Sequence, residues 1–371
     1  MEILAFQPWD GGSHRAVRES ITRHAHHDWS WVTLDPVGPR WRLRLGALEL
    51  VDRAREQGAL AARPDLLFAT SLLDGAQLRS TLPASLRSVP LVLYMHENQA
   101  AYPVSEHVDT RDRDRDAHLV VTNLSTLLAA DLVIWNSAFN RDSFLEGLDR
   151  LLRHLPGRGG GSWRGLIEQR SVIAWPPVEP IPGQVLRNSG STSYPDGISV
   201  AWPHRWEHDK GLDELLALMD RDAVSLDLRL VLLGERPGTE PEQLKRLRAA
   251  HGDRIIHDGW VPDRASYLQR LAECDWVLST ARHEFYGIAV AESLLAGCMP
   301  WLPDRLSYPE LVPPEALGLD PWNTDIRTDH PWGHGPNRAE LHRRIVERLE
   351  PAAANVAVRR LESVITDAID A

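Results

Sequence analysis

The sequence predicts an α/β fold of two doubly wound domains, and three observations carry that prediction. Its 371 residues exceed the size that one hydrophobic core usually serves and point to about two domains. Short β-rich apolar runs alternate with amphipathic segments twice over, the pattern of parallel strands joined by crossover helices. Between the two series, residues 176–197 hold five prolines and three glycines with no periodicity, which reads as a linker.

In the first series the predicted strands are Ile3–Phe6, Trp29–Leu34, Leu66–Ala69, Leu91–Met95, Leu132–Trp135 and Val172–Ala174, with helices over Leu43–Gln57, Leu119–Ala130 and Arg141–Leu152. In the second the strands are Ser199–Trp202, Leu228–Leu233, Ile255–His257, Trp276–Ser279 and Met299–Leu302. Helices are predicted there over Leu212–Met219, Pro241–His251, Arg264–Glu273 and Ile288–Leu295, and the tail reads as helical over Arg338–Leu349 and Ala352–Ile369. The resulting division is an N-terminal domain over 1–178, a linker over 179–198, a C-terminal domain over 199–350, and a last helix over 351–371 packing back toward the first domain. Gly157–Gly161 reads as a mobile loop, with phosphate binding the alternative, and Arg111–Asp116, alternating in sign, as a solvated or disordered segment, with partner binding the alternative.

Composition narrows the class. A hydrophobic fraction of 43% with 25% charged residues is that of a soluble globular protein. No apolar run reaches the ~18 residues of a membrane span. The start, Glu2-Ile3-Leu4-Ala5-Phe6, lacks the basic flank and long apolar core of a signal peptide, and Cys274 and Cys298 lack metal-ligand spacing. The expectation is a cytoplasmic protein with neither disulfide nor metal. A net charge of −11 argues against general charge-driven nucleic-acid binding and leaves a local basic surface open. Trp29, Trp31, Trp41 and Trp163 are candidates for stacking on RNA, with core packing the competing role. No strand leads into Gly-x-Gly-x-x-Gly with an acid at the right distance, which excludes the usual dinucleotide site. The sequence carries no signal of oligomeric state.

In open parallel sheets ligands bind beyond the carboxyl ends of the strands, so the chemistry is sought there. After Trp276–Ser279 comes His283-Glu284-Phe285-Tyr286-Gly287-Ile288-Ala289-Val290-Ala291-Glu292, running into an apolar helix. Glu284 in the loop can accept hydrogen bonds from sugar hydroxyls, and Glu292 inside the helix can accept a ribose diol. Between them, Phe285, Tyr286, Gly287 and Ile288 place free amides at the helix start, suited to a diphosphate. The competing reading is a helix whose acids merely offset its dipole. After Ser199–Trp202 comes Pro203-His204-Arg205-Trp206-Glu207-His208-Asp209-Lys210-Gly211, whose Arg205 and Lys210 would neutralise a leaving diphosphate; ordinary loop charges are the alternative. After Ile255–His257, the loop Gly259-Trp260-Val261 can grip a nucleobase or simply connect strand to helix.

In the first half, Gly11-Gly12-Ser13-His14 follows strand one, as a close-approach loop or a plain turn. His96-Glu97-Asn98-Gln99 follows Leu91–Met95, and polar groups so placed line a site or need partners inside. His96 would position the transferred sugar, a satisfied core histidine being the alternative, and Glu97 would orient an acceptor hydroxyl or take its proton. Asn136-Ser137 contacts an acceptor or caps the next helix.

Taken together, Arg205/Lys210, Gly259-Trp260-Val261 and the Glu-x7-Glu of Glu284 and Glu292 resemble the donor half of retaining GT-B glycosyltransferases of family 4. That fold has two Rossmann-like domains facing each other across a cleft. The resemblance implies that Arg205 and Lys210 bind the donor diphosphate, Glu284 the transferred sugar and Glu292 the ribose. With Gly11-Gly12-Ser13-His14, Tyr94-Met95-His96-Glu97-Asn98-Gln99 preceding Tyr102-Pro103, and Trp135-Asn136-Ser137-Ala138-Phe139-Asn140, the chain looks like the tRNA-queuosine alpha-mannosyltransferase group. That implies GDP-mannose as donor, queuosine of tRNA-Asp as acceptor and no required cofactor. Gly11, Gly12 and Ser13 would then serve the donor, and His14, Asn98, Gln99, Asn136 and Ser137 the acceptor. The alternatives are a GT-B transferase with another nucleotide sugar and a small or glycan acceptor, and a non-catalytic nucleotide- or RNA-binding module.

Overall fold

A computed structural model describes residues 1–101, 113–153, 162–180, 197–224, 227–235, 240–317 and 336–370. Tyr102-Pro103, Arg111, Asp112, Gly157–Gly161 and most of the expected linker lie outside the described residues. The chain divides into two compact units: Met1–Pro177 with Ala352–Ala371, and Val178–Pro351.

The first unit is built on a six-stranded parallel sheet ordered β2-β1-β3-β4-β5-β6, with strands β1 (Glu2–Gln7), β2 (Asp28–Thr33), β3 (Leu66–Thr70), β4 (Leu91–Met95), β5 (Leu132–Trp135) and β6 (Ser171–Ile173). β3 and β4 are buried along their whole length, as a sheet covered on both faces requires. The crossovers carry α1 (Gly12–His24), α2 (Pro39–Glu56), α3 (Gly75–Thr81), α4 (Arg113–Ala129), α5 (Ala138–Leu152) and α6 (Trp163–Gln169). α2 begins four residues before the apolar pattern does. Gly38 at φ 62 turns the chain, and Pro39 fits a first helical position, where no amide bond is lost. Helix α4 also starts early, at Arg113, so the alternating charges partly belong to a helix. Trp29 and Trp31, both half-buried, stack on each other and meet the edge of the buried Phe68, and Trp163 is partly buried against the core. Trp41 stays 62% exposed, so core packing does not account for it.

The second unit has a five-stranded parallel sheet ordered β11-β10-β7-β8-β9, from β7 (Ile198–Trp202), β8 (Leu228–Leu232), β9 (Ile255–Asp258), β10 (Trp276–Leu278) and β11 (Met299–Trp301). Its helices are α7 (Leu212–Asp222), α8 (Glu242–His251), α9 (Arg264–Ala272), α10 (Ile288–Leu295), α11 (Tyr308–Leu311) and α12 (Pro336–Leu349). In each sheet the strand order reverses once, at β1/β3 and at β7/β10. The loops leaving those pairs separate to opposite faces and leave a crevice at the carboxyl edge.

Helix α13 (Ala354–Asp370) rejoins the first unit and packs on α1. Its Glu362 carboxylate accepts from the amides of His26 and His27, at 3.0 and 2.9 Å, and from the Trp29 indole at 3.1 Å. Burial pushes that carboxyl up, but these donors outweigh burial and hold it below the usual glutamate value. Glu362→Ala orphans all three donors and should lower stability by about 1–3 kcal/mol. A depressed carboxyl contributes stability above its unfolded pKa and loses it as pH falls, so the deficit should shrink below about pH 4. Denaturant melts of both proteins at pH 7 and about pH 3 check this.

Candidate active site

The β7/β10 crevice brings the two strongest sequence signals together. The loop after β7 ends in a short 3-10 turn, His208–Lys210, and Gly211 at φ 69. A Cβ on Gly211 would lie 2.1 Å from the Thr280 carbonyl oxygen, so only glycine lets this loop lie against the one after β10. The two loops are then laced together. Thr280 Oγ1 donates to the Lys210 carbonyl at 2.9 Å, and the amides of Arg282 and His283 donate to the Asp209 carbonyl at 2.9 and 3.2 Å.

This lacing carries Lys210 inward. Its side chain is only 9% exposed, and its ammonium donates to the His283 carbonyl at 2.8 Å and lies 3.1 Å from Asp209 and 3.3 Å from Glu284. Burial pushes the ammonium pKa down; Glu284 and Asp209 outweigh it and raise it. Burial likewise pushes the Asp209 carboxyl up, and Lys210 outweighs that. The result is a permanently charged cation at the sheet edge beside a carboxylate, Glu284, that is 20% exposed. Arg205 stands more openly, half exposed and 3.3 Å from Glu207.

Gly287, at φ 89, turns the chain into α10. Ser307 ties down the stretch before it by donating to the Tyr286 carbonyl at 2.9 Å and the Glu284 carbonyl at 3.3 Å. Phe285 and Tyr286 are buried, so it is the backbone of this stretch and the Gly287–Ile288 turn that the crevice presents. Glu292 is buried inside α10 and paired with Arg264 of α9 at 2.5 Å. Beside β9, Gly259 and Trp260 line an open pocket of about 410 Å³ with Glu235 and Asp258. The Trp260 ring is 60% exposed, and Val261 is half-buried.

In the first unit, His14 of α1 stacks on His96 at 4.0 Å between ring centroids, and Tyr94 meets His96 edge-on. Burial, and then His14, hold the His96 pKa well below its ordinary value, so the ring is neutral. Its Nε2 is buried without a hydrogen-bond partner. Gln99 donates to the Glu97 carboxylate at 3.0 Å. Asn98 turns inward, donating to Asn140 and Ser143 and accepting from the Ala101 amide. Asn136 donates to the His96 carbonyl at 2.8 Å, and Ser137 accepts the Asn140 amide as the N-cap of α5. These three residues hold the His96 loop in shape. Gly11 lies against Pro36, while Gly12 (φ 52) and Ser13 are exposed at the start of α1.

Sequence reasoning missed, among others, Asp209, Arg264, Thr280 and Ser307. Only Asp209 left a trace, as the acid beside Lys210. Among the described residues, no three His, Cys, Asp or Glu side chains gather as a metal site, and no helix is long and apolar enough to cross a membrane.

Two neutral histidines adjoin the Lys210 cluster. Burial, and then Lys210, lower His204 to about 3 and His283 to about 4. A histidine depressed in the folded state contributes stability that is full above its unfolded pKa of about 6.5 and lost as pH falls toward the folded value. Stability should therefore drop by a few kcal/mol between about pH 6.5 and 4.5, and His204→Gln should flatten that slope. A melting temperature constant between pH 7 and 5 would contradict it.

Residues 2–178 match the family model described as tRNA-queuosine alpha-mannosyltransferase N-terminal. The tRNA-queuosine alpha-mannosyltransferase of Drosophila melanogaster is 32% identical over 325 residues, covering 85% of this chain and 82% of that protein. A GDP-mannose-dependent alpha-(1-6)-phosphatidylinositol dimannoside mannosyltransferase of Mycobacterium tuberculosis is 36% identical over 89 residues, 24% of this chain and 22% of that one. Among solved structures, sucrose-phosphate synthase from Thermosynechococcus elongatus superposes with a TM-score of 0.66 at 15% identity, covering 99% of both chains. Anabaena HepE in complex with UDP and glucose gives 0.64 at 16% identity, covering 99% of this chain and 100% of that one. These neighbours establish the GT-B fold. By the extent of the likeness to the fly protein, the chain belongs to the tRNA-queuosine alpha-mannosyltransferase family of glycosyltransferases.

Proposed function

We propose that this enzyme transfers mannose, with retention of configuration, from GDP-mannose to the queuosine nucleoside of tRNA-Asp in the cytoplasm. The observation that carries the reading is 32% identity over 325 residues to a protein named for that modification. The buried Lys210, placed where a leaving diphosphate would be neutralised, is consistent with it.

The step is a substitution at the anomeric carbon of mannose. An acceptor hydroxyl oxygen forms the new bond to that carbon on the face from which the diphosphate departs. The bond from the carbon to the phosphate oxygen breaks, and the acceptor proton passes to the departing diphosphate. Negative charge grows on the leaving oxygen, and Arg205, Lys210 and the amides at the start of α10 meet it there. Glu284 holds the sugar hydroxyls and Glu292 the ribose. Gly259, Trp260 and Val261 take the base, and Gly11, Gly12 and Ser13 also serve the donor. His96 positions the sugar, and Glu97, with His14 and Gln99, faces the acceptor. With two cations at the diphosphate, the step needs no metal.

Arg205→Ala and Lys210→Ala should each lower kcat by roughly a hundredfold or more, as for a removed oxyanion contact of about 3–4 kcal/mol. Arg205 is half exposed, so its variant should fold even if Lys210→Ala, which leaves two carboxylates facing each other, does not. Near-normal turnover in folded Arg205→Ala and Lys210→Ala would refute the leaving-group role. For the acceptor, the chain is incubated with labelled GDP-mannose and queuosine-containing tRNA-Asp. Label should appear on the modified nucleoside and vanish with tRNA lacking queuosine. Turnover of UDP- or ADP-sugars in place of GDP-mannose would overturn the donor assignment.

A further inference from the structure

Helix α2 carries an exposed surface that the donor chemistry does not use. Val37, Trp41 and Leu45 follow one another at four-residue spacing, the last two on one helical stripe, and are 62%, 62% and 39% exposed. Arg40 and Arg44, also four apart, form the adjoining stripe and are exposed as well. Arg42, between them in sequence, points inward and is held by Glu49 and the Asp35 carbonyl, so it is not part of this face. The first turn of α2 has no acid. An apolar stripe containing a tryptophan thus lies beside a basic one, on a chain whose net charge is −11.

The place of this surface in the fold is informative. Helix α2 leaves the carboxyl end of β2, so its first turns stand at the same sheet edge as the loops after β1 and β4. The segment leading into it lies against the β1 loop. The Asp10 amide donates to the Leu34 carbonyl at 2.9 Å, and Pro36 occupies the space a Cβ on Gly11 would need. The exposed stripes therefore adjoin the edge that carries Gly11 to His14 and the His96 loop.

We propose that the Arg40/Arg44 and Trp41/Leu45 stripes of α2 form a docking surface for the RNA acceptor, with the arginines on backbone phosphates and the Trp41 ring stacked on an unpaired base. The proposal rests on the acceptor reading above for the identity of the RNA. Paired guanidiniums one helical turn apart suit a polyanion, and an exposed indole offers a face to any unstacked base. A protein partner would be served by the apolar stripe alone and gives no reason for the basic one.

The test is fluorescence anisotropy of labelled queuosine-containing tRNA with the full chain, across a salt series. Trp41→Ala should weaken binding roughly tenfold or more. Arg40→Glu/Arg44→Glu should weaken it further and reduce the log–log salt slope by about 1.4–1.8, the loss of two phosphate contacts. Both variants should keep the wild-type melting temperature and GDP affinity, since the substituted side chains are exposed and outside the donor loops. Binding within about twofold of wild type in both variants overturns the proposal. So does concentration-dependent self-association that Trp41→Ala abolishes while RNA binding is kept. The two readings separate in the same samples. A wild-type chain that binds the RNA through these residues but transfers no mannose leaves the surface standing and removes the acceptor assignment. Transfer by wild type with unaltered binding by the variants does the reverse.

Discussion

A lysine ammonium withdrawn from water at the edge of the second sheet is the constraint around which the second unit is built. An isolated ion so placed would cost several kcal/mol, and a lysine without partners would give up its proton instead. Lys210 keeps its charge because Asp209, Glu284 and the His283 carbonyl surround it. Those partners come from two loops that leave different strands, so the charge can persist only if β7 and β10 are neighbours and their loops touch. Gly211 permits that contact, and the Thr280, Arg282 and His283 hydrogen bonds hold it. Sheet order, glycine placement and site charge are thus one arrangement.

The same logic explains why the cluster is poised rather than merely stable. Asp209 is almost wholly buried and stays with Lys210, whereas Glu284 retains some exposure and can turn to a ligand. A diphosphate arriving at this edge would meet a cation already desolvated and already oriented. Such a group needs little reorganisation when charge develops on a leaving oxygen, which is where electrostatic catalysis gains most. The first unit holds groups of a different kind. His96 is kept neutral by burial and by the charge of the neighbouring His14, and its loop is braced by Asn98, Asn136 and Asn140.

Much of this was legible in the sequence. The strands could be located to within a residue or two because a parallel sheet covered on both faces demands continuous apolar runs. Lys210, Glu284 and Glu292 stood out because they follow those runs at fixed distances. What stayed hidden depends on contacts between distant parts of the chain. The Arg264–Glu292 pair links two helices, and the Glu362 anchor joins residues more than three hundred positions apart. Asn98 reads as a ligand-facing polar group until Asn140 and Ser143 are seen to claim its amide. Trp41 is the opposite case: hydrophobicity favours burial, and only the turn at Gly38 and the register of α2 show that its ring faces out.

If the Lys210 cluster receives the diphosphate of the donor, a bound nucleotide will show it. The decisive measurement is a crystal structure of the chain with GDP. The phosphate oxygens should lie within about 3 Å of the Lys210 ammonium and the Arg205 guanidinium, the usual reach of a charge-assisted hydrogen bond, with the ribose at Glu292. A diphosphate bound elsewhere, with Lys210 still closed between Asp209 and Glu284, would contradict it.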